Sequence, residues 1–378
     1  MTEELELTSA LLRCPSVTPQ HAGALDLVQN WLMAQGFTCQ RIEGQSESYT
    51  VDNLYARWGS KAPVFGFCGH VDVVPVGDEH AWRHPPFAGV VENEKLYGRG
   101  AVDMKSGLAC FMLAAARFIA SNPNFEGSIA FLVTGDEEAE AQAGTLEILR
   151  WMEKAGEKLD HCLVGEPSSR SVLGDTVKIG RRGSFNAWLD VVGKQGHVAY
   201  PSAAQNPIPP LLMMLSSLLC EPLDAGTEYF EPSMVQITSV DVGNKTMNMV
   251  PNRASSALNI RFNDHWNPKT LEAELHRRFD RSCYPYDLKW QSNADSFIFP
   301  PDALGKLVAR AIKEVTDQSP DFMTNGGTSD ARFISRYCPV VEFGAVGSTL
   351  HQVDEHVTLA ELVPLSAIYQ RVLERYFL

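Results

Sequence analysis

The chain has 378 residues, 44% of them hydrophobic and 21% charged, with a formal net charge of −14. That length exceeds one ordinary core and predicts one large and one smaller domain. The acidic balance argues against a general polyanion binder, which would carry a clustered basic face.

The N-terminus MTEELELTSALL begins acidic and its apolar run is short and broken, so no secretory signal is expected. No segment reads as apolar for long enough to cross a bilayer. The eight cysteines are scattered without a Cys-x-x-Cys pair. This is the pattern of reduced thiols in a cytoplasmic protein, not of a disulfide framework. Neither a nucleic-acid nor a membrane partner is expected.

In chain order, Ala24–Gly36 places Leu25, Val28 and Leu32 at helical spacing, with Gly36 as a stop. Pro63–Pro75 (PVFGFCGHVDVVP) is a short apolar run ending in polar residues and proline, which predicts a buried strand with a functional end. A helix over Ser106–Ser121, a strand over Ser128–Gly135, a helix over Gly144–Ala155 and a strand over Asp160–Gly165 follow. This alternation predicts an α/β domain with a mostly parallel central sheet and helices on both faces. Near Val177 the pattern changes. Strands are expected at Gly183–Val192, Ser233–Val242, Ser255–Phe262 and Leu288–Ser296, with helices at Ile208–Cys220 and Pro268–Cys283. That order predicts a small α+β domain with an antiparallel sheet, inserted as residues 180–294 between 1–179 and 295–378. The α/β pattern returns with a helix at Ala303–Thr316, a strand at Val340–Phe343 and a helix at Leu359–Phe377.

Acidic residues and a histidine gather at the ends of the first-domain strands. His70-Val71-Asp72 closes one strand, Glu137-Glu138 another and Glu166 a third, while Asp103 lies just before a helix. Ligands of open α/β sheets bind beyond the carboxyl ends of the strands. Carboxylates crowded there repel one another unless a cation neutralises them, and imidazole with carboxylates suits zinc. Each element also has a plainer reading: a His-x-Asp cap, a charged Glu-Glu loop, a Gly-Arg-Gly turn. On the residues alone, a metal site and a charged strand-end cluster stand equally open.

The segments Gly69-His70-Val71-Asp72-Val73-Val74-Pro75, Gly98-Arg99-Gly100-Ala101-Val102-Asp103-Met104-Lys105, Thr134-Gly135-Asp136-Glu137-Glu138, Val164-Gly165-Glu166-Pro167 and Ser348-Thr349-Leu350-His351 occur in this order along nearly the whole chain. Together they resemble the M20 family of co-catalytic zinc peptidases and deacylases. Gly180-Arg181-Arg182-Gly183-Ser184, Gly196-His197-Val198-Ala199-Tyr200-Pro201 and Gly326-Gly327-Thr328-Ser329-Asp330-Ala331-Arg332-Phe333 resemble the desuccinylases within it. The resemblance implies a zinc-dependent amidohydrolase acting on N-succinyl-L,L-2,6-diaminopimelate, with two zinc ions per subunit and cobalt able to substitute at one. Another deacylase, such as an acetylornithine deacetylase or an aminoacylase, is the nearest rival. A carboxypeptidase and a non-catalytic binding protein are the other readings, and the second predicts missing site residues that this sequence retains.

The same resemblance assigns the roles. Asp103 bridges the zinc ions; His70 and Glu166 complete one site, Glu138 and His351 the other. Glu137 is the general base toward water activated by the metals. Asp72 accepts the second N–H of the His70 imidazole and fixes its tautomer. His197, from the inserted dimerisation/lid domain, stabilises the oxyanion at a neighbouring subunit's site, which implies a homodimer. Arg182, Arg261, Asn248, Gly327, Thr328 and Ser329 contact the dicarboxylic acyl-amino-acid substrate. Arg181 competes with Arg182 for that role, and Gly326–Ser329 is expected to form an anion cradle at a helix start.

Overall fold

The segment VFGFCGH forms the strand Val64–His70, in which every residue is buried. An apolar run without alternation suits a strand covered on both faces. In the computed structural model, which describes residues 2–301 and 303–378, this strand lies near the centre of an eight-stranded sheet. The order is Thr38–Gln45, Thr50–Trp58, Ser128–Thr134, Val64–His70, His161–Val164, Val340–Glu342, Thr176–Lys178, Asp321–Met323. Val64–His70 runs parallel to both of its neighbours, from Val64↔Ser128 to His70↔Thr134 on one side and Phe65↔His161 to Cys68↔Val164 on the other. The two strands at one edge are antiparallel, which the sequence pattern did not indicate.

The chain divides into two compact units. The first runs to Ile179, resumes at Phe299–Met323 and ends with Ser329–Leu378. It contains this sheet and its helices. The helix Ser106–Ser121 buries all of its first ten residues, and Phe111 stacks on Phe67 of the central strand with ring centroids 4.1 Å apart. The stretch Ala101–Ser121 is long and apolar enough, by length and composition, to cross a membrane. This corrects the expectation that no such stretch exists. Most of it is buried inside the unit, where a core helix needs the same composition.

The second unit comprises Gly180–Ile298 and Thr324–Thr328. Its four-stranded antiparallel sheet has the order Met234–Asp241, Arg253–Phe262, Gly183–Val192, Asp287–Ala294. Alternation along Arg253–Phe262 buries Ala254, Leu258, Ile260 and Phe262 on one face. The helices Ile208–Cys220 and Pro268–Phe279 cover that face with Leu211, Met214, Leu215, Leu271, Leu275 and Phe279. The second helix starts with a capping box in which Asn267 and Thr270 satisfy each other's backbone N–H.

Candidate metal centre

Within the first unit, three sheet strands and two loops deliver the acidic and imidazole groups to one place. His70 ends Val64–His70; Glu137 and Glu138 form the turn after Ser128–Thr134; Glu166 follows His161–Val164. Asp103 sits in the irregular turn Ala101–Lys105, where its own backbone is extended (φ −116°, ψ 98°). His351 lies in the loop before the short strand His356–Thr358 and adopts a left-handed φ of 59°.

The two oxygens of Asp103 point to different histidines. His70 Nε2 lies 3.0 Å from Asp103 Oδ1 and 3.8 Å from Glu166 Oε1. His351 Nε2 lies 3.2 Å from Asp103 Oδ2 and 3.0 Å from Glu138 Oε1. Nitrogen and oxygen ligands at about 2.0–2.2 Å around one tetrahedral zinc stand roughly 3.3 Å apart, so these separations suit ligand pairs around two ions. Single ligand atoms of His70, Glu137 and Glu166 fall within 4.8 Å of one another, as do those of His70, Asp103 and Glu138. Tyr49 fixes the turn that carries the glutamates: its hydroxyl donates to Asp136 Oδ1 at 2.6 Å and accepts from Glu140 N.

Protonation supports the same fit. Burial opposes the charge of His70, but the hydrogen bond to Asp103 and the surrounding carboxylates outweigh it and raise its pKa well above the ordinary value. Hydrogen bonds to Asp103 and Glu138 push His351 up to about 10. Burial and the Glu166 charge push the Glu137 carboxyl well above the usual carboxylate range. With no cation, the cluster gathers protons to offset its own negative charge; divalent cations would supply that charge instead.

Asp72 is placed differently from its sequence-based role. The His70 imidazole makes its second hydrogen bond through Nδ1 to the backbone carbonyl of Asp72 at 2.9 Å, whereas the carboxylate oxygen is 3.7 Å away. The carboxylate instead accepts the backbone N–H of Glu138 at 3.0 Å and of Glu137 at 3.3 Å. The main chain therefore fixes the tautomer, leaving Nε2 toward the cluster, while the side chain holds the glutamate turn. Burial raises the Asp72 carboxyl to about 6.

Ser329 is buried, and its hydroxyl donates to Glu342 Oε1 at 2.6 Å. The helix that follows, Ala331–Ile334, has only four residues. The expected anion cradle at a helix start is thus reduced to a single turn with one hydroxyl already engaged. Sequence reasoning assigned no role to Asp330 within that segment; it is buried, and its Oδ2 accepts from Thr145 Oγ1 at 2.6 Å.

The second unit holds the remaining candidates. Arg181 is buried and donates to the carbonyls of Asn325 and Gly327. Arg182 and Arg261 lie near each other: burial and then the Arg182 charge lower the Arg261 pKa. Arg261 Nε donates to Asn259 Oδ1 at 3.1 Å, and Arg182 Nε is buried with no hydrogen-bond partner among the described residues. His197 is exposed, pairs in register with Met249, and accepts the Ala199 N–H at Nδ1. The Asn248 carbonyl accepts the Val198 N–H.

The sequence profile of peptidase family M20/M25/M40 matches residues 66–375. Proteins named succinyl-diaminopimelate desuccinylase are similar over almost the whole chain. That of Methylobacterium nodulans is 52% identical over 379 residues, covering 99% of this chain and 96% of its own. That of Rhodospirillum centenum is 50% identical over 376 residues, covering 99% and 97%. Among solved structures, an aminopeptidase PepT from Bacillus cereus superposes with a TM-score of 0.78 at 16% identity, covering 99% of this chain and 98% of its own. A Bacillus subtilis protein described as a dinuclear metal-binding peptidase of the M20 family superposes with a TM-score of 0.71 at 15% identity, covering 99% and 98%. The fold, the length of the profile match and the full-length relatives agree: the chain belongs to peptidase family M20/M25/M40.

Proposed function

We propose that the chain hydrolyses the amide bond of N-succinyl-L,L-2,6-diaminopimelate to succinate and L,L-2,6-diaminopimelate, a step of lysine and diaminopimelate synthesis. Relatives about half identical over their full length carry this activity in their names. The observation that carries the chemistry is the division of the Asp103 oxygens between His70 and His351. Two zinc ions would be held there, one by His70, Asp103 and Glu166 and the other by Asp103, Glu138 and His351, with cobalt able to replace zinc at one of them. When bound, such ions polarise the scissile carbonyl and lower the pKa of water.

The protein's own groups do the rest. Glu137 takes the proton from the attacking water and returns it to the leaving amine, so the nitrogen departs neutral. Burial raises the Glu137 carboxyl above the usual carboxylate range, and a carboxylate beside the ions can accept and return one proton. Arg182 and Arg261 receive substrate carboxylates, since a guanidinium offers a bidentate fork. Arg181 is set aside because its guanidinium already serves main-chain carbonyls. Asn248, Gly327 and Thr328 are assigned to substrate contact, and Ser329 to that region through its bond to Glu342.

A homodimer formed through the second unit completes the reading. The helix Ile208–Cys220 exposes Leu212, Met213 and Leu219 beside the edge strand Met234–Asp241, an apolar face of the kind subunits cover. In that dimer the partner subunit's His197 stabilises the oxyanion. The enzyme is assigned to the cytoplasm, where its eight cysteines, all free here, stay reduced.

The test is metal analysis together with amine-release assays on N-succinyl-L,L-diaminopimelate and N-acetylornithine. The succinyl substrate is expected to be cleaved faster, with activity lost on chelation and restored by zinc or cobalt. Faster cleavage of the acetyl substrate overturns the succinyl assignment and leaves the reaction class standing.

A further inference from the structure

The Gly98-Arg99-Gly100 segment contains a device that the metal ligands alone do not explain. Four residues beyond His351 lies Glu355, which is fully buried and gathers the backbone of the Asp103 turn. Its Oε1 accepts the N–H of Val102 at 2.9 Å and of Asp103 itself at 3.2 Å. Its Oε2 accepts the N–H of Gly100 at 3.1 Å and Arg99 Nη1 at 2.8 Å. Three main-chain donors converge on one carboxylate because Gly100 turns the chain with φ 85°, where a Cβ would also meet Val73 Cγ1 at 2.6 Å.

Arg99 carries the link back to the other histidine. It is buried, stacked over Trp82 at 5.0 Å, and donates to the carbonyl of Gln352 at 3.1 Å and of His351 at 3.4 Å. Its charge balances Glu355, so the pair adds no net charge beneath an already acidic cluster. The His351 side chain is 42% exposed, against 1% for His70. His351 therefore depends on main-chain anchorage for its position, and Arg99 supplies it.

We propose that Glu355 and Arg99 are positioning residues that hold Asp103 and His351 in mutual register and thereby set the affinity of the ion those two share. The inference rests on the two-ion reading above. The full-length protein, freed of metal by chelation, is titrated with Co²⁺, following heat and visible d–d absorption; circular dichroism and the apo-protein Tm report the fold. Wild type is expected to take two ions. In Glu355→Gln an amide NH₂ replaces one acceptor and faces two donors. The ion on the His351 side should bind 10–100-fold more weakly with an altered absorption envelope, and the other, which meets only the shared Asp103 displaced, should weaken distinctly less. Arg99→Lys keeps the buried charge but loses the fork that reaches two carbonyls; it should weaken the same ion, and it decides the matter if the glutamine variant does not fold. Two ions held at wild-type strength in a folded variant, or equal weakening of both, overturns the proposal. A wild-type protein that takes fewer than two ions overturns the two-ion reading itself, which is a separate result.

Discussion

The Asp72 carboxylate accepts the backbone N–H of Glu138 at 3.0 Å, while the Asp72 carbonyl takes the imidazole N–H of His70. One residue thus orients groups on two neighbouring strands, each through a different atom. Asp72→Asn leaves the carbonyl in place but turns an amide NH₂ toward one of the two glutamate N–H groups. Turnover at saturating metal is expected to fall 10–100-fold, with the hydrogen bond from His70 Nδ1 to the Asp72 carbonyl retained in an NMR spectrum of the imidazole. Wild-type turnover would remove the carboxylate from any role in the turn.

Glu137 shares a turn with Glu138, yet the two have separate tasks in the proposed reaction. Glu137→Gln should retain both ions by metal analysis and lose about 10²–10⁴ in kcat. Loss of an ion in this variant would mark Glu137 as a ligand; full turnover would end its role as base.

Gly165 precedes Glu166 and has no room for a methyl group. A Cβ there would stand 2.4 Å from Phe67 Cζ and 2.6 Å from Met104 Cε. The methionine tip can swing away, but Phe67 is stacked on Phe111 and packed against Phe131 and Tyr369. Gly165→Ala should cost about 1–3 kcal/mol through overpacking, measured by urea unfolding. A change below a few tenths of that would show that the aromatic cluster yields more easily than its geometry implies.

Lys105 is fully buried, with Nζ donating to the Cys14 carbonyl at 2.9 Å. Burial lowers its pKa from 10.5 to about 8. Below pH 8 both folded and unfolded chains hold the proton, and the folded state bears the full cost of the buried charge. Between about 8 and 10.5 only the unfolded chain keeps the proton, so this residue's contribution makes stability rise with pH. Lys105→Met has no proton to lose. Its stability relative to wild type, measured on chelated protein, should therefore drop by about 3 kcal/mol between pH 7.5 and 10.5. A difference that stays constant over that range would contradict the buried-ammonium account.

Elements whose own residues form the core were legible in the sequence. Val64–His70, Ser106–Ser121 and Gly183–Val192 are read from apolar runs or alternation because their burial is nearly continuous or strictly periodic. The helix Glu3–Leu12 was missed because its buried face includes Glu4, Thr8 and Ser9, and Glu4 is balanced by Arg117 more than a hundred residues away. The edge strand Thr38–Gln45 is polar and half exposed, so it carries no pattern of its own. At the site, the strand-end carboxylates stood out by position. Glu355 did not, because its role consists of accepting backbone N–H groups some 250 residues distant, and every residue type except proline supplies an N–H. A search for what neutralises the arginine of Gly98-Arg99-Gly100 would have been the one signal pointing to it.

The unequal exposure of the two histidines bears on how the protein must be handled. In the proposed two-ion arrangement, an ion on the His70 side would be held by a histidine only 1% exposed, whereas one on the His351 side would be held by a histidine 42% exposed. Dilution, dialysis or a weak chelator should therefore empty the outer position first. If the proposed pair of ions is bound, a purified sample should then hold nearer one equivalent of metal than two unless its buffer supplies the second, and activities measured without added metal would report the half-loaded enzyme.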